Sequence, residues 1–147
     1  MTDNLIPKLV HLIPRVVVAF ILAQTLFFKF TGAEESRELF AILGMEPWGR
    51  IGIGIIELIS VIFLLSRFYI IGAIISLSII STANFLHFTK LGIVVNDDGG
   101  ALFTMSIIVI VMSLWLVYYW NSMRSKDKQT TFENYVIPEE DEDWPEE

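Results

Sequence analysis

Four apolar runs, each roughly twenty residues long and nearly free of charge, dictate what this chain can become. They lie at about 12–31, 50–66, 69–88 and 101–120. A helix needs about 20 residues to cross the ~30 Å hydrocarbon core of a bilayer, and a helix satisfies its own backbone there. The sequence therefore predicts an all-α integral membrane four-helix bundle, with helices at about 12–32, 48–66, 69–88 and 101–121. One residue breaks the pattern. Glu57 stands inside the second run, in Ile53-Gly54-Ile55-Ile56-Glu57-Leu58. A carboxyl at that depth is costly unless it is neutral, paired or beside water.

Charge is segregated. The chain is 54% hydrophobic with a mean hydropathy of +0.60 and a net charge of −7. From Arg124 onward there are nine acidic and three basic residues, so nearly all of that charge belongs to the C-terminal end. Residues 123–147, rich in acid, proline and small polar side chains, read as a disordered tail appended to a membrane domain at 1–122. The acidic balance speaks against nucleic acid, which needs clustered Lys and Arg. With no cysteine, the chain forms no disulfide, thiolate metal site or thiol–disulfide couple of its own. The first run is too long for a cleavable leader, has no small-residue cleavage site after it, and reads as a retained helix.

The connectors carry local signals. Residues 33–49 place Glu34 and Glu35 before Leu39, Phe40, Ile42 and Leu43, then Gly44, the pattern of a short amphipathic interfacial helix. Trp48 suits the headgroup level, as do Trp115, Tyr118, Tyr119 and Trp120 at the close of the last run. Only Ser66 to Tyr69 separate the second and third runs, which forces a tight antiparallel pair. Asp98-Gly99 marks a turn before the fourth. Four crossings put both termini on one side, together with Lys8, Arg15, Arg67, Arg124, Lys126 and Lys128; Lys29, Arg37, Arg50 and Lys90 fall on the other. The excess of bases predicts cytoplasmic termini in a bacterial-type inner membrane.

The remaining intramembrane polar residues gather near one end. Glu57 is seven residues from Arg50, roughly 10 Å below the boundary at 1.5 Å per residue. In the third run Ala73, Ser76, Ile80, Ala83, Asn84 and His87 follow helical spacing, a small and polar stripe of the kind that packs on other helices. By topology Lys29, Glu57, Asn84 and His87 share the outer half, and they are the proposed lining of a polar pocket. Asp97 and Asp98 in the adjoining loop, and Arg15 at the far end of the first run, are secondary candidates. Each also has a plainer reading: Lys29 as a snorkelling anchor, Asn84 as interhelical glue, His87 as an interface residue, Arg15 and Arg67 as orientation signals. No metal site is expected. His11 and His87 fall on opposite sides, and Asn-Asp-Asp-Gly-Gly lacks the ligand spacing of a calcium loop.

With these residues in view, the chain from about Ile13 to Tyr118 resembles the DoxX family of small membrane proteins. The carriers are Phe28-Lys29-Phe30-Thr31-Gly32, Gly52-x-Gly54-x-x-Glu57-Leu58, and Ala83-x-x-x-His87-Phe88-Thr89-Lys90-Leu91-Gly92-Ile93 running into Asp97-Asp98-Gly99-Gly100. The resemblance implies a four-helix membrane protein linked to quinone-coupled redox complexes or oxidative-stress assemblies, with Arg15, Lys29, Glu57 and His87 at the family's polar positions. It makes a quinone the cofactor to consider, and the bilayer, a soluble or membrane redox partner and a second copy of the chain the admissible partners. Catalysis does not follow from it. Three functions stay open: a redox-linked subunit, a non-catalytic assembly factor whose acidic tail docks a partner, and a small proton-coupled transporter.

Overall fold

In the computed structural model, which describes residues 6–92 and 98–136, every regular element is helical. Helix α1 spans Ile6–Thr31, α2 Glu34–Ile42, α3 Trp48–Leu65 and α4 Tyr69–Leu86; a single π-helical turn, His87–Leu91, extends α4, and α5 spans Ala101–Val136. Four of them, α1, α3, α4 and α5, are long and apolar enough to cross a bilayer. The chain is thus a multi-pass membrane protein, and α2 is the short helix expected between the first two spans.

Two boundaries differ from the sequence expectation. α1 begins at Ile6 rather than near residue 12, so Pro14 lies inside the helix. Its ring leaves the carbonyl of Val10 without a helical donor. α5 continues to Val136, well past the expected end near 121, so the first part of the supposed disordered tail is helix. Nothing between Ser122 and Val136 stops it: there is no glycine or proline, and the hydroxyls of Ser125, Thr130 and Thr131 bond back to carbonyls four residues earlier. Residues 137–147 lie outside the described residues.

The four spans pack in the cyclic order α1, α3, α4, α5, which sets α1 and α4 diagonally across the bundle. Val18, Leu22, Leu64, Ala73, Ile80, Val109 and Leu116 form the core, while Phe20, Phe27, Ile62 and other large apolar side chains face outward, as lipid requires. α3 and α4 are in close contact at Gly72, where a Cβ would sit 2.6 Å from the Leu64 backbone nitrogen and 2.7 Å from the Ser60 carbonyl oxygen. Ser60 and Ser76 fill that contact. Their hydroxyls are 2.6 Å apart, and each lies within 2.9 Å of the Gly72 carbonyl oxygen.

Arg15 closes the opposite end. Its guanidinium donates to the carbonyls of Leu64 (2.8 Å) and Ser66 (2.6 Å), which have no helical donors at the end of α3, and it lies 4.7 Å from the Tyr69 ring centre. His11 stacks on Tyr119 beside it.

Candidate functional site

Glu57 faces inward from the middle of α3, toward α1. Lys29 meets it, with Nζ 2.9 Å from Oε2 and 3.1 Å from Oε1; the side chains are 14% and 3% exposed. Thr25, one turn before Lys29, brings its hydroxyl 3.1 Å from Oε2 and 2.9 Å from the carbonyl of Leu22. The carboxylate is therefore held from both sides by groups of α1. An uncompensated charge in a low-dielectric interior is expensive, and pairing with a cation that also donates hydrogen bonds is the arrangement that makes it tolerable.

The joint between α1 and α3 keeps this pair in register. Arg50, in the first turn of α3, is buried, donates to the carbonyl of Lys29 and grips Glu46 with Nε and Nη2 at 2.8–3.0 Å. Those hydrogen bonds hold the Glu46 carboxyl below the ordinary carboxylate range, against an opposing desolvation effect; the charges of Arg50 and Arg37 add to the lowering. Gly54, next to the site on α3, faces the ring of Phe30 and the Cβ of Lys29, so the two helices are close here.

A cavity of about 750 Å³ opens over the pair. Lys29, Thr25 and Glu57 line it from α1 and α3, His87 from the end of α4, and Asp98 and Ser106 from the start of α5. α2 forms a further wall with Leu39 and Phe40, continued by Leu43 just past its end. The walls are mainly apolar, with a few convergent polar groups, and the volume lies within the ~300–1,000 Å³ usual for small-molecule sites.

His87 is fixed by the π-helical turn. The backbone N–H of Gly92 donates to the carbonyl of His87 at 2.8 Å, and Nδ1 of His87 lies 2.8 Å from the carbonyl of Gly92. A carbonyl only accepts, so Nδ1 carries the proton and the tautomer is set. Gly92, at φ +80°, makes this return possible. Such π-turns recur at functional sites.

Of the residues singled out from the sequence, Lys29, Glu57, His87 and Asp98 line one cavity. Asn84 does not line it. It stands between α4 and α5, with Oδ1 2.7 Å from the hydroxyl of Ser106, while its Nδ2 is buried without a partner. Asp98 also caps α5 through the N–H groups of Gly100 and Leu102. Arg15 is not near the cavity; fourteen residues of helix, roughly 21 Å, separate it from Lys29, and it serves the α3–α4 turn. Asp97 lies outside the described residues. Sequence reasoning missed Thr25, Ser106 and Arg50 as parts of the site. Thr25 carries a signal in standing four residues before Lys29 on the same helix face, and Arg50 one in standing two turns before Glu57.

No protein-family model, no curated protein and no solved structure matches the chain.

Proposed function

We propose that this chain is a membrane subunit or accessory of a quinone-linked redox system, and that the cavity over Lys29 and Glu57 seats the quinone headgroup. The observation that carries the reading is a charge-balanced, buried ion pair at the wall of a mainly apolar cavity among four membrane helices. The apolar walls suit a lipophilic ring and the start of its isoprenoid chain. The ammonium of Lys29 has three N–H groups, so it can hold Glu57 and a ligand carbonyl together. A bound quinone supplies two-electron, two-proton carrier chemistry. Glu57, bonded to Lys29, is the residue that takes up or releases a proton beside it. The chain has no thiol, so electrons come from a partner. The resemblance to DoxX proteins in the motifs around Lys29, Glu57 and His87 supports the same reading.

The test is binding. The full chain, purified into lipid nanodiscs, is titrated with a short-chain quinone, and Glu57→Gln and Lys29→Met are titrated alongside. Saturable binding weakened at least tenfold by either substitution is expected. Absence of saturable binding, or binding untouched by both substitutions, sinks the proposal.

The orientation belongs to the same reading. The α3–α4 turn, with Arg67, faces the cytoplasm and the cavity end faces out. Because the chain has no cysteine, Ser66→Cys gives a unique label site. An impermeant maleimide applied to intact cells should leave it unlabelled, and labelling would invert the topology.

A second reading, a non-catalytic assembly factor, draws on α5, whose exposed Lys126, Asp127 and Lys128 extend past the bundle toward the acidic end of the chain. Deleting residues 124–147 would then abolish co-purification of a basic soluble partner while leaving quinone binding unchanged.

A further inference from the structure

The two sides of the cavity differ in hydrogen-bonding sense. On the α4–α5 side every polar side-chain hydrogen of Ser78, Thr82, His87 and Ser106 is already committed. Ser78 donates to the carbonyl of Ile74 and Thr82 to that of Ser78, both at 2.9 Å. His87 spends its Nδ1 proton on the carbonyl of Gly92. The single hydroxyl hydrogen of Ser106 has two acceptors within 2.7 Å, the carbonyl of Phe103 and Oδ1 of Asn84. What these four residues can still offer a ligand is lone pairs: three hydroxyl oxygens and, in the neutral ring of His87, Nε2. The donors stand elsewhere. Lys29, with three N–H groups, and Gln24, with two, are on α1, and Ser36 is on α2. Glu57 and Glu35 add acceptors on that same side, so it both donates and accepts; since α1 and α4 are diagonal in the bundle, a mixed wall that holds these donors confronts a wall whose four residues can only accept.

We infer that this cavity distinguishes the redox states of its ligand and holds a quinol more tightly than the corresponding quinone. The inference rests on reading the cavity as a quinone site. A quinone has two carbonyl oxygens and only accepts. One carbonyl is satisfied by the α1 wall, while the other meets lone pairs on α4 and α5. A quinol has two hydroxyls, each of which both donates and accepts. One accepts from Lys29 or donates to Glu57, and the other donates to His87 Nε2 or to a hydroxyl oxygen beside it. A hydrogen bond made in one state and replaced by opposed lone pairs in the other is worth roughly tenfold in affinity. Preferential binding of the reduced form raises the potential of the bound couple, by about 30 mV for each tenfold in a two-electron couple. The site therefore makes the bound quinone a better electron acceptor than the same quinone free in the bilayer.

The test compares dissociation constants of one short-chain quinone and its quinol. Both are measured anaerobically on the full chain in nanodiscs, by quenching of intrinsic tryptophan fluorescence and by calorimetry. A quinol constant about tenfold lower is expected. His87→Phe keeps ring volume but removes both nitrogens, and should bring the ratio near one by weakening the quinol. Thr82→Val is isosteric, disturbs only a bond within its own helix turn, and should narrow the ratio by a smaller factor. Equal constants in the unsubstituted protein, or a tighter quinone, overturn the inference and leave the quinone site standing. Binding of neither form overturns both. A ratio unchanged in both variants removes α4 as the origin of the preference and overturns the inference as argued.

Discussion

Arg50 donates to the main-chain carbonyl of Lys29, the residue whose side chain neutralises Glu57. Lys29 is thus held at both ends, backbone to the first turn of α3 and ammonium to its middle. The pair is fixed by a second contact two turns away on the same helix. Replacing Arg50 by Gln frees the carbonyl and the Glu46 carboxylate together. We expect Arg50→Gln to weaken quinone binding several-fold with Lys29 and Glu57 both intact, measured by the same nanodisc titration. Unchanged binding would mean that the ion pair positions itself.

The pair itself should behave as a unit. Removing one partner of a buried ion pair leaves an uncompensated charge and typically costs about 3–5 kcal/mol. Lys29→Met and Glu57→Gln should each destabilise the bundle by about 3 kcal/mol, somewhat less for Glu57→Gln because Lys29 is the more exposed partner. Lys29→Met combined with Glu57→Leu should cost far less than the sum of the single changes. Unfolding in a mixed-detergent titration checks this, and strict additivity would show the two residues to be uncoupled.

Glu46 gives the joint a pH dependence. Its folded-state acidity is raised by Arg50, so its pKa lies below the unfolded value. The associated stability is full above the ordinary carboxylate value and is lost as pH falls from there through the depressed one. Protease sensitivity of the segment between α2 and α3 should rise across that acidic window, and Glu46→Gln should flatten the response. A flat profile in the parent chain would contradict the assignment.

Gly72 and Gly52 make a matched pair of probes. A methyl at Gly72 meets backbone atoms of Ser60 and Leu64, which cannot swing aside, whereas one at Gly52 meets nothing within 4 Å. Gly72→Ala should destabilise by about 1–3 kcal/mol by prising α3 from α4. Gly52→Ala should be neutral or stabilising by up to about 1 kcal/mol through helix propensity. Melting temperatures in detergent decide the order, and an equal effect at both positions would show that the close approach is not needed.

Much of this arrangement can be read from residues alone. Lipid leaves Glu57 few options, and the topology brings Lys29 to the same depth, so their meeting is foreseeable from spacing and chain direction. Other parts cannot be read this way. The stripe on α4 gives a face but not a neighbour, so Asn84 reads as pocket lining although it turns toward Ser106. Arg15 shares a helix face with Lys29, but a face runs the whole length of a span, and Arg15 serves its opposite end. The reach of α5 was hidden because a polar composition marks exposure, not the end of a helix. The commitments of the hydroxyls on α4 and α5 depend on rotamers that no spacing encodes.

The length of α5 has an electrostatic consequence. Its 36 residues make a rod of about 54 Å at 1.5 Å per residue. A hydrocarbon core of ~30 Å and one headgroup layer use up about 37 Å of it. If α5 enters the core at Ala101 and runs close to the bilayer normal, Val136 stands roughly 15 Å clear of the lipid surface, nearly two Debye lengths at physiological ionic strength. The last turn of the helix is thereby decoupled from the surface potential of the membrane: the helix is a stalk whose tip experiences the ionic conditions of bulk solution rather than those of the bilayer that anchors it.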